Sequence, residues 1–182
     1  MDDEKENLKD KSAFLFDVIK RYDHYIATTN FKVALMMSFL AATVLGLTIR
    51  IMSLTPLQLG GGYVYFAAIF AAVLTIILSL IAAINLLRAI FPNTKTHNGD
   101  KSLIFFGDVA NSDNGLDGYK KKIEEATPEK LLADLSSQTF VVAEVVNEKF
   151  RILKIAVTII IYGVIPSLAT SLMLLIIGGV KW

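Results

Sequence analysis

Ser102 to Ser112 reads SLIFFGDVANS, four apolar residues and a Gly-Asp pair set between the polar flanks NTKTHNGDK and DNGLDGYKKK. Two adjacent rings, Phe105 and Phe106, offer stacking faces to a flat ligand, and Gly107 permits a tight backbone turn beside it. The same residues also suit a simpler role, an apolar plug packed between helices. Covalent and metal chemistry find little to work with elsewhere. The chain has no cysteine, which excludes disulfides, thiolate metal sites and cysteine nucleophiles. A zinc site built on its two histidines, His24 and His97, would need carboxylate help. Asp23-His24 stands in the wrong order for a metal-dependent hydrolase, with no second cluster to match. No Ser-His-Asp order, paired histidines or glycine-rich phosphate loop is present either. The expectation is a protein that binds rather than catalyses, with no metal and no cofactor. A net charge of +1 gives no general pull toward nucleic acid, which is not an expected partner.

The elements that must position these residues are dominated by lipid-compatible runs. At 54% hydrophobic, with a mean hydropathy of +0.54, the 182 residues are too apolar for an average soluble domain. Val33 to Ile49, Tyr63 to Leu87 and Ile155 to Val180 contain no ionisable residue other than tyrosine. Each supplies the roughly 20 helical residues that a hydrocarbon core of about 30 Å requires, the first only narrowly. The acidic start, MDDEKENLKDK, has no apolar core close behind it and is not expected to act as a cleavable signal peptide. The spans divide the chain into segments 1–32, 33–49, 50–62, 63–87, 88–154 and 155–180. Lys20, Arg21, Lys32, Arg88, Lys95, Lys101, Lys149, Arg151 and Lys154 flank the spans on one side, and only Arg50 and Lys181 on the other. That asymmetry predicts a cytoplasmic N-terminus and main loop, with the C-terminus outside. All 17 acidic residues fall on the same side as the basic majority. The outer side offers only a short loop and a tail, too little for a receptor.

Within the spans the polar residues are hydroxyls, Asn85 and Tyr162, so proton-coupled transport is not expected. Small residues recur at four-residue spacing, as Ala67 and Ala71, Ala68 and Ala72, then Gly163, Ser167 and Ser171. They suit close helix packing, either among the three spans or between copies. Pro166 should bend the third span or loosen its hydrogen bonds.

Outside the spans, Leu15, Val18, Ile19, Tyr22 and Ile26 form the apolar stripe of an amphipathic helix over 12–27. A short helix is predicted over LDGYKKKIEEA. Thr127 and Pro128 read as the N-cap and first residue of another. No glycine or proline interrupts Glu129 to Tyr162, so one helix can run from the cytoplasm into the third span. Leu131, Leu135, Val142, Val145, Val146 and Leu153 supply its stripe. Such a rod would be a mechanical link. The fold class is therefore all-α: three transmembrane helices with a small helical cytoplasmic domain, formed by the N-terminal helix and the loop between spans two and three.

RYDHYIATTNFKVAL, LLRAIFP, SLIFFGDVA, YKKKIEEATPEKLLADLSSQ and NEKFRILKIAV together resemble the Pycsar transmembrane effectors of bacterial anti-phage defence. They cover most of Tyr22 to Val157, in the same order relative to the spans. The resemblance implies an inner-membrane protein activated by a cyclic pyrimidine mononucleotide, cyclic UMP or cyclic CMP, made by a partner cyclase after infection. It implies a homo-oligomer whose assembly changes on binding, so that the membrane is impaired and infection aborts. A mononucleotide needs cations, an aromatic face and hydrogen-bond partners. Within the matching motifs, that chemistry makes Arg21, Lys32, Arg88, Phe105, Phe106, Asp108 and Lys149 the candidate ligand contacts. Tyr22, Tyr25, Asn30 and Gln138 stand near them in kind. The basic residues have a competing role in topology and lipid contact, and Asp108 one as a helix cap. The alternative is a scaffold membrane protein whose cytosolic helices bind a protein partner.

Overall fold

The computed structural model describes residues 2–53, 62–91 and 101–179. Lys95, His97, Lys181, Trp182 and most of the outer loop lie outside the described residues. Every described element is helical: α1 (Asp2–Ser53), α2 (Tyr63–Ile90), α3 (Phe106–Ala110), α4 (Gly115–Glu124), α5 (Pro128–Ile159), a π-helical turn (Ile160–Val164) and α6 (Ile165–Gly179). Three of the helical stretches are long and apolar enough to cross a membrane. The all-α, three-span class expected from the sequence is what the chain adopts. α1 runs without a break through Thr28–Asn30.

The chain forms two compact units. The first holds the described residues of Met1–Thr28 and Asn93–Asn147. Its part of α1 turns the predicted stripe inward: Leu15, Val18, Ile19, Tyr22 and Ile26 are half-buried, while Lys20, Arg21, Asp23 and His24 are exposed. The α5 stripe behaves alike, with Leu135 and Val146 buried and Leu131, Val142 and Val145 half-buried. Both stripes recur at three and four residues, the spacing that keeps side chains on one helical face. Thr127 begins α5 as predicted, its hydroxyl accepting the Lys130 N–H at 3.3 Å. Before α4 the chain turns through Asn114 in the left-handed region, φ 61°. A Cβ on Gly118 would collide with the Asp113 carbonyl, so only glycine lets α4 lie this close to its own turn.

The second unit holds the described residues of Thr29–Pro92 and Glu148–Trp182. Val33 and Leu40 of α1, Ala82 and Leu86 of α2, Leu153 and Ala156 of α5, and Ile160 and Val164 of the π turn form its main cluster. Lipid tails are as apolar as leucine, so these helices are held by close contact rather than by exclusion of water. The small residues are used here. Ala68, Ala71, Ala72, Thr75, Ser79 and Ala82 form the buried face of α2, and Ser171 is buried on α6. Packing within one chain therefore accounts for most of the four-residue spacing. Thr75 and Ser79 return their hydroxyls to Ala71 and Thr75 carbonyls at 2.8 and 2.7 Å, leaving no orphan polar atom.

Pro166 acts through the π turn. A proline in a helix has no N–H and its ring crowds the carbonyl four residues back. Here the ladder widens just before it, and the Ile165 N–H bonds Ile160 O, five residues back. Ser167 Oγ donates to the Gly163 and Val164 carbonyls at 2.8 and 3.1 Å, which satisfies its hydroxyl within the helix.

Candidate functional site

Between 101 and 105 the first unit leaves regular structure, and its backbone N–H groups must be received elsewhere. Four in succession are taken by side chains. Ser102 N–H donates to Asp108 Oδ2 at 2.9 Å and Leu103 N–H to Asp134 Oδ2 at 2.8 Å. Those of Ile104 and Phe105 donate to Ser102 Oγ at 3.1 and 3.0 Å. The Ser102 hydroxyl donates onward to Asp134 Oδ2 at 3.1 Å, and the Tyr119 hydroxyl to the Leu103 carbonyl at 3.0 Å. The loop is thus pinned by α3, α4 and α5 at once. With these N–H groups committed, it is not an open anion nest.

What the loop presents outward is apolar. Leu103 is buried as a plug, but Phe106 is 79% exposed and Ile104 is also exposed. The Phe105 and Phe106 rings lie 4.8 Å apart at 52°. Gly107 makes this pair possible, since a Cβ there would stand 2.6 Å from Phe105 Cε1. LIFF therefore divides its roles: the leucine fills the core, and the second phenylalanine leaves a ring face free to stack. Asp108 ties the loop through Ser102 instead of capping the turn that follows it.

Beside the loop, Asp113 receives Lys101 Nζ at 2.8 Å and Lys122 Nζ at 3.3 Å. The Lys101 hydrogen bond, then that of Lys122, holds its carboxyl below the ordinary aspartate value. All three groups are solvent-facing, so salt screens them. In the same unit an open cavity of about 440 Å³ is lined by Asp10, Lys11, Phe14, Leu15, Leu132 and Ser136.

In the second unit Lys149 has a fixed task. It is 4% exposed, and its ammonium donates to Ala89 O at 2.9 Å, Ile90 O at 3.0 Å and Asn30 Oδ1 at 3.2 Å. Three donors meet three acceptors. Two of these are terminal carbonyls of α2, where a helix end carries partial negative charge and seeks a cation. Lys149 and Asn30 thus tie α1, α2 and α5 together at one level.

The seven residues singled out from the sequence divide between the units. Arg21, Phe105, Phe106 and Asp108 belong to the first, and Lys32, Arg88 and Lys149 to the second. Arg21, Lys32, Arg88 and Phe106 are exposed, Phe105 and Asp108 half-buried, and Lys149 buried. Tyr22 and Gln138 are half-buried and Tyr25 is exposed. Sequence reasoning missed Ser102, Tyr119 and Asp134 as the loop's anchors. A trace existed for Asp134, a carboxylate set between Leu131 and Leu135 on an otherwise apolar stripe.

The profile of the Pycsar effector protein domain, PycTM, matches residues 14–178. The Pycsar effector protein EcPycTM of Escherichia coli is 29% identical over 167 residues, covering 85% of each chain. No solved structure is detectably similar. With nearly the whole helical chain matched, from the stripe of α1 to the end of α6, this protein belongs to the Pycsar effectors, the membrane proteins of anti-phage defence.

Proposed function

We propose that this effector is switched on by a cyclic pyrimidine mononucleotide and then impairs the inner membrane as a homo-oligomer. It acts through assembly rather than turnover, with no cofactor beyond the activating nucleotide. The observation that carries this reading is the separation of a polar helical unit, with its own hydrogen-bonded loop, from a unit of three membrane helices. The first senses and the second acts. The excess of basic residues beside the spans supports a cytoplasmic N-terminus and 88–154 segment, on the side where a cyclase product would be found. The base stacks on the exposed Phe106 ring, and Arg21 supplies a cation from the same unit. Lys32 and Arg88, which belong to the second unit, hold lipid head groups.

The full chain in liposomes of bacterial lipid, titrated with cyclic UMP, cyclic CMP and cyclic AMP, tests this directly. Dye release is expected with a pyrimidine ligand only, and Phe106→Ala should raise the required concentration about ten-fold or more. Leakage that ignores nucleotide, or none at all, refutes the reading. A second reading, a scaffold for a protein helix, draws on the open cavity beside exposed Phe14. A stable co-purifying partner without nucleotide binding would favour it.

A further inference from the structure

The outward face of the third span carries polar groups that lipid cannot satisfy. Thr158, Tyr162, Pro166 and Thr170 are all exposed along it, Tyr162 by 78%. The threonines answer their own needs by donating to the Lys154 and Pro166 carbonyls at 2.9 Å each. Tyr162 does not: among the described residues no hydrogen bond reaches its hydroxyl. An acceptor is left over one turn away. Pro166 has no N–H, so the carbonyl it would serve, Tyr162 O in α register or Ile161 O in π register, lacks that donor. Both residues are exposed on this face.

Depth decides whether this matters, because tyrosine at a membrane surface needs no partner beyond water and head groups. The Lys149 tie places Asn30, Ala89 and Lys149 at one level. Tyr162 lies 13 residues beyond Lys149, about 20 Å along the helix. Lys32 lies about 3 Å beyond Asn30 and Arg50 about 30 Å beyond it, and these charges bound the first span. Tyr162 therefore sits inside the hydrocarbon. A side contact agrees: a Cβ on Gly163 would lie 3.3 Å from Leu78 Cδ1, in the middle of α2. An unpaired hydroxyl and an unpaired carbonyl at that depth each carry a desolvation cost.

We infer that this face is the contact between copies of the chain in the membrane, with Tyr162 of each copy donating to the carbonyl exposed by the partner copy's π turn. The occupant is a second copy because the face is self-complementary. All copies insert in one orientation, so groups at equal depth meet, and a twofold axis along the membrane normal satisfies both donors and both acceptors. The buried small residues of α2, and Ser171 of α6, are already used within the chain, whereas Tyr162 and the π turn stand on a face that packing leaves open. The inference rests on the proposal that copies assemble in the bilayer, and names the surface. Its test uses no nucleotide, so it fails or succeeds separately from ligand gating.

The absence of native cysteine makes disulfide trapping clean. Thr158→Cys and Thr170→Cys, each alone in the full chain and oxidised in native membranes, should form dimers at least five-fold more than Ile84→Cys or Phe39→Cys. The controls are exposed positions on α2 and α1. Tyr162→Phe, which keeps the ring, should weaken Thr170→Cys trapping about ten-fold, two hydrogen bonds being lost per pair. Pro166→Ala should weaken it too, although it restores a helix N–H, because that N–H takes up the acceptor. Equal trapping at all four positions, or trapping indifferent to both Tyr162→Phe and Pro166→Ala, overturns the inference. So does ready labelling of Thr170→Cys by a membrane-impermeant maleimide, which would put water at this face.

Discussion

Replacing Lys149 by methionine keeps most of the side-chain length and removes the ammonium. Three acceptors then lose a donor: Ala89 O, Ile90 O and Asn30 Oδ1. At about 1 kcal/mol each, the value for an ordinary hydrogen bond, the loss is about 3 kcal/mol. The cation at the α2 C-terminus adds about 0.5 kcal/mol more. Release of a buried ammonium offsets part of the gain from a charged donor, so the ordinary value is used in place of the larger charged-group one. Lys149→Met should therefore cost about 3 kcal/mol in SDS-titrated unfolding of the reconstituted protein. Asn30→Ala removes one acceptor and should cost about 1 kcal/mol. The double variant should cost scarcely more than Lys149→Met alone, because Asn30 has then lost its donor already, a coupling of about 1 kcal/mol. Lys149→Arg should not rescue fully, since a planar fork cannot aim at three converging oxygens. A cost below about 1 kcal/mol for Lys149→Met, or strict additivity in the cycle, would refute the cap as described.

Ser102→Ala removes one donor and one acceptor of two N–H groups, and should cost about 2 kcal/mol, with faster amide exchange at Ile104 and Phe105. Gly118→Ala forces a Cβ into the Asp113 carbonyl, and loss of α4 helicity should be visible by hydrogen exchange across 115–124. The Lys101–Asp113–Lys122 cluster involves a carboxyl whose folded-state pKa is lowered, so its contribution is complete above roughly pH 4 and lost as pH falls through that lowered value. Acid titration of the Asp113 carboxyl by NMR should show this, and high salt should shrink the shift. Ala72→Leu on the buried face of α2 overfills a contact with no space, and should lower stability by about 2 kcal/mol in the same SDS assay.

Membrane spanning was legible because it is a demand of composition. A run such as Tyr63 to Leu87, without aspartate, glutamate, lysine or arginine, satisfies a bilayer whatever its neighbours are. The stripes of α1 and α5 and the Thr127 cap were legible for a related reason, being set by residues three or four apart. The Phe105–Phe106 pair stood out from its polar flanks, and half of the plug reading held, through Leu103. Lys149 read as one cation among several, since nothing nearby in sequence marks it as a cap.

Local spacing thus determined the elements and their faces, while the ordered motifs carried the resemblance to the family. The tertiary structure decided what each polar group does. Lys149 meets Asn30 across 119 residues and Ala89 across 60, and Asp134 meets Ser102 across 32. Such pairings depend on how helices come to lie together, and helix periodicity carries no record of them. The bare face of the third span emerged in the same way, only after packing had used the small residues on the other side. A buried polar group must find its partner wherever the fold brings one within about 3 Å.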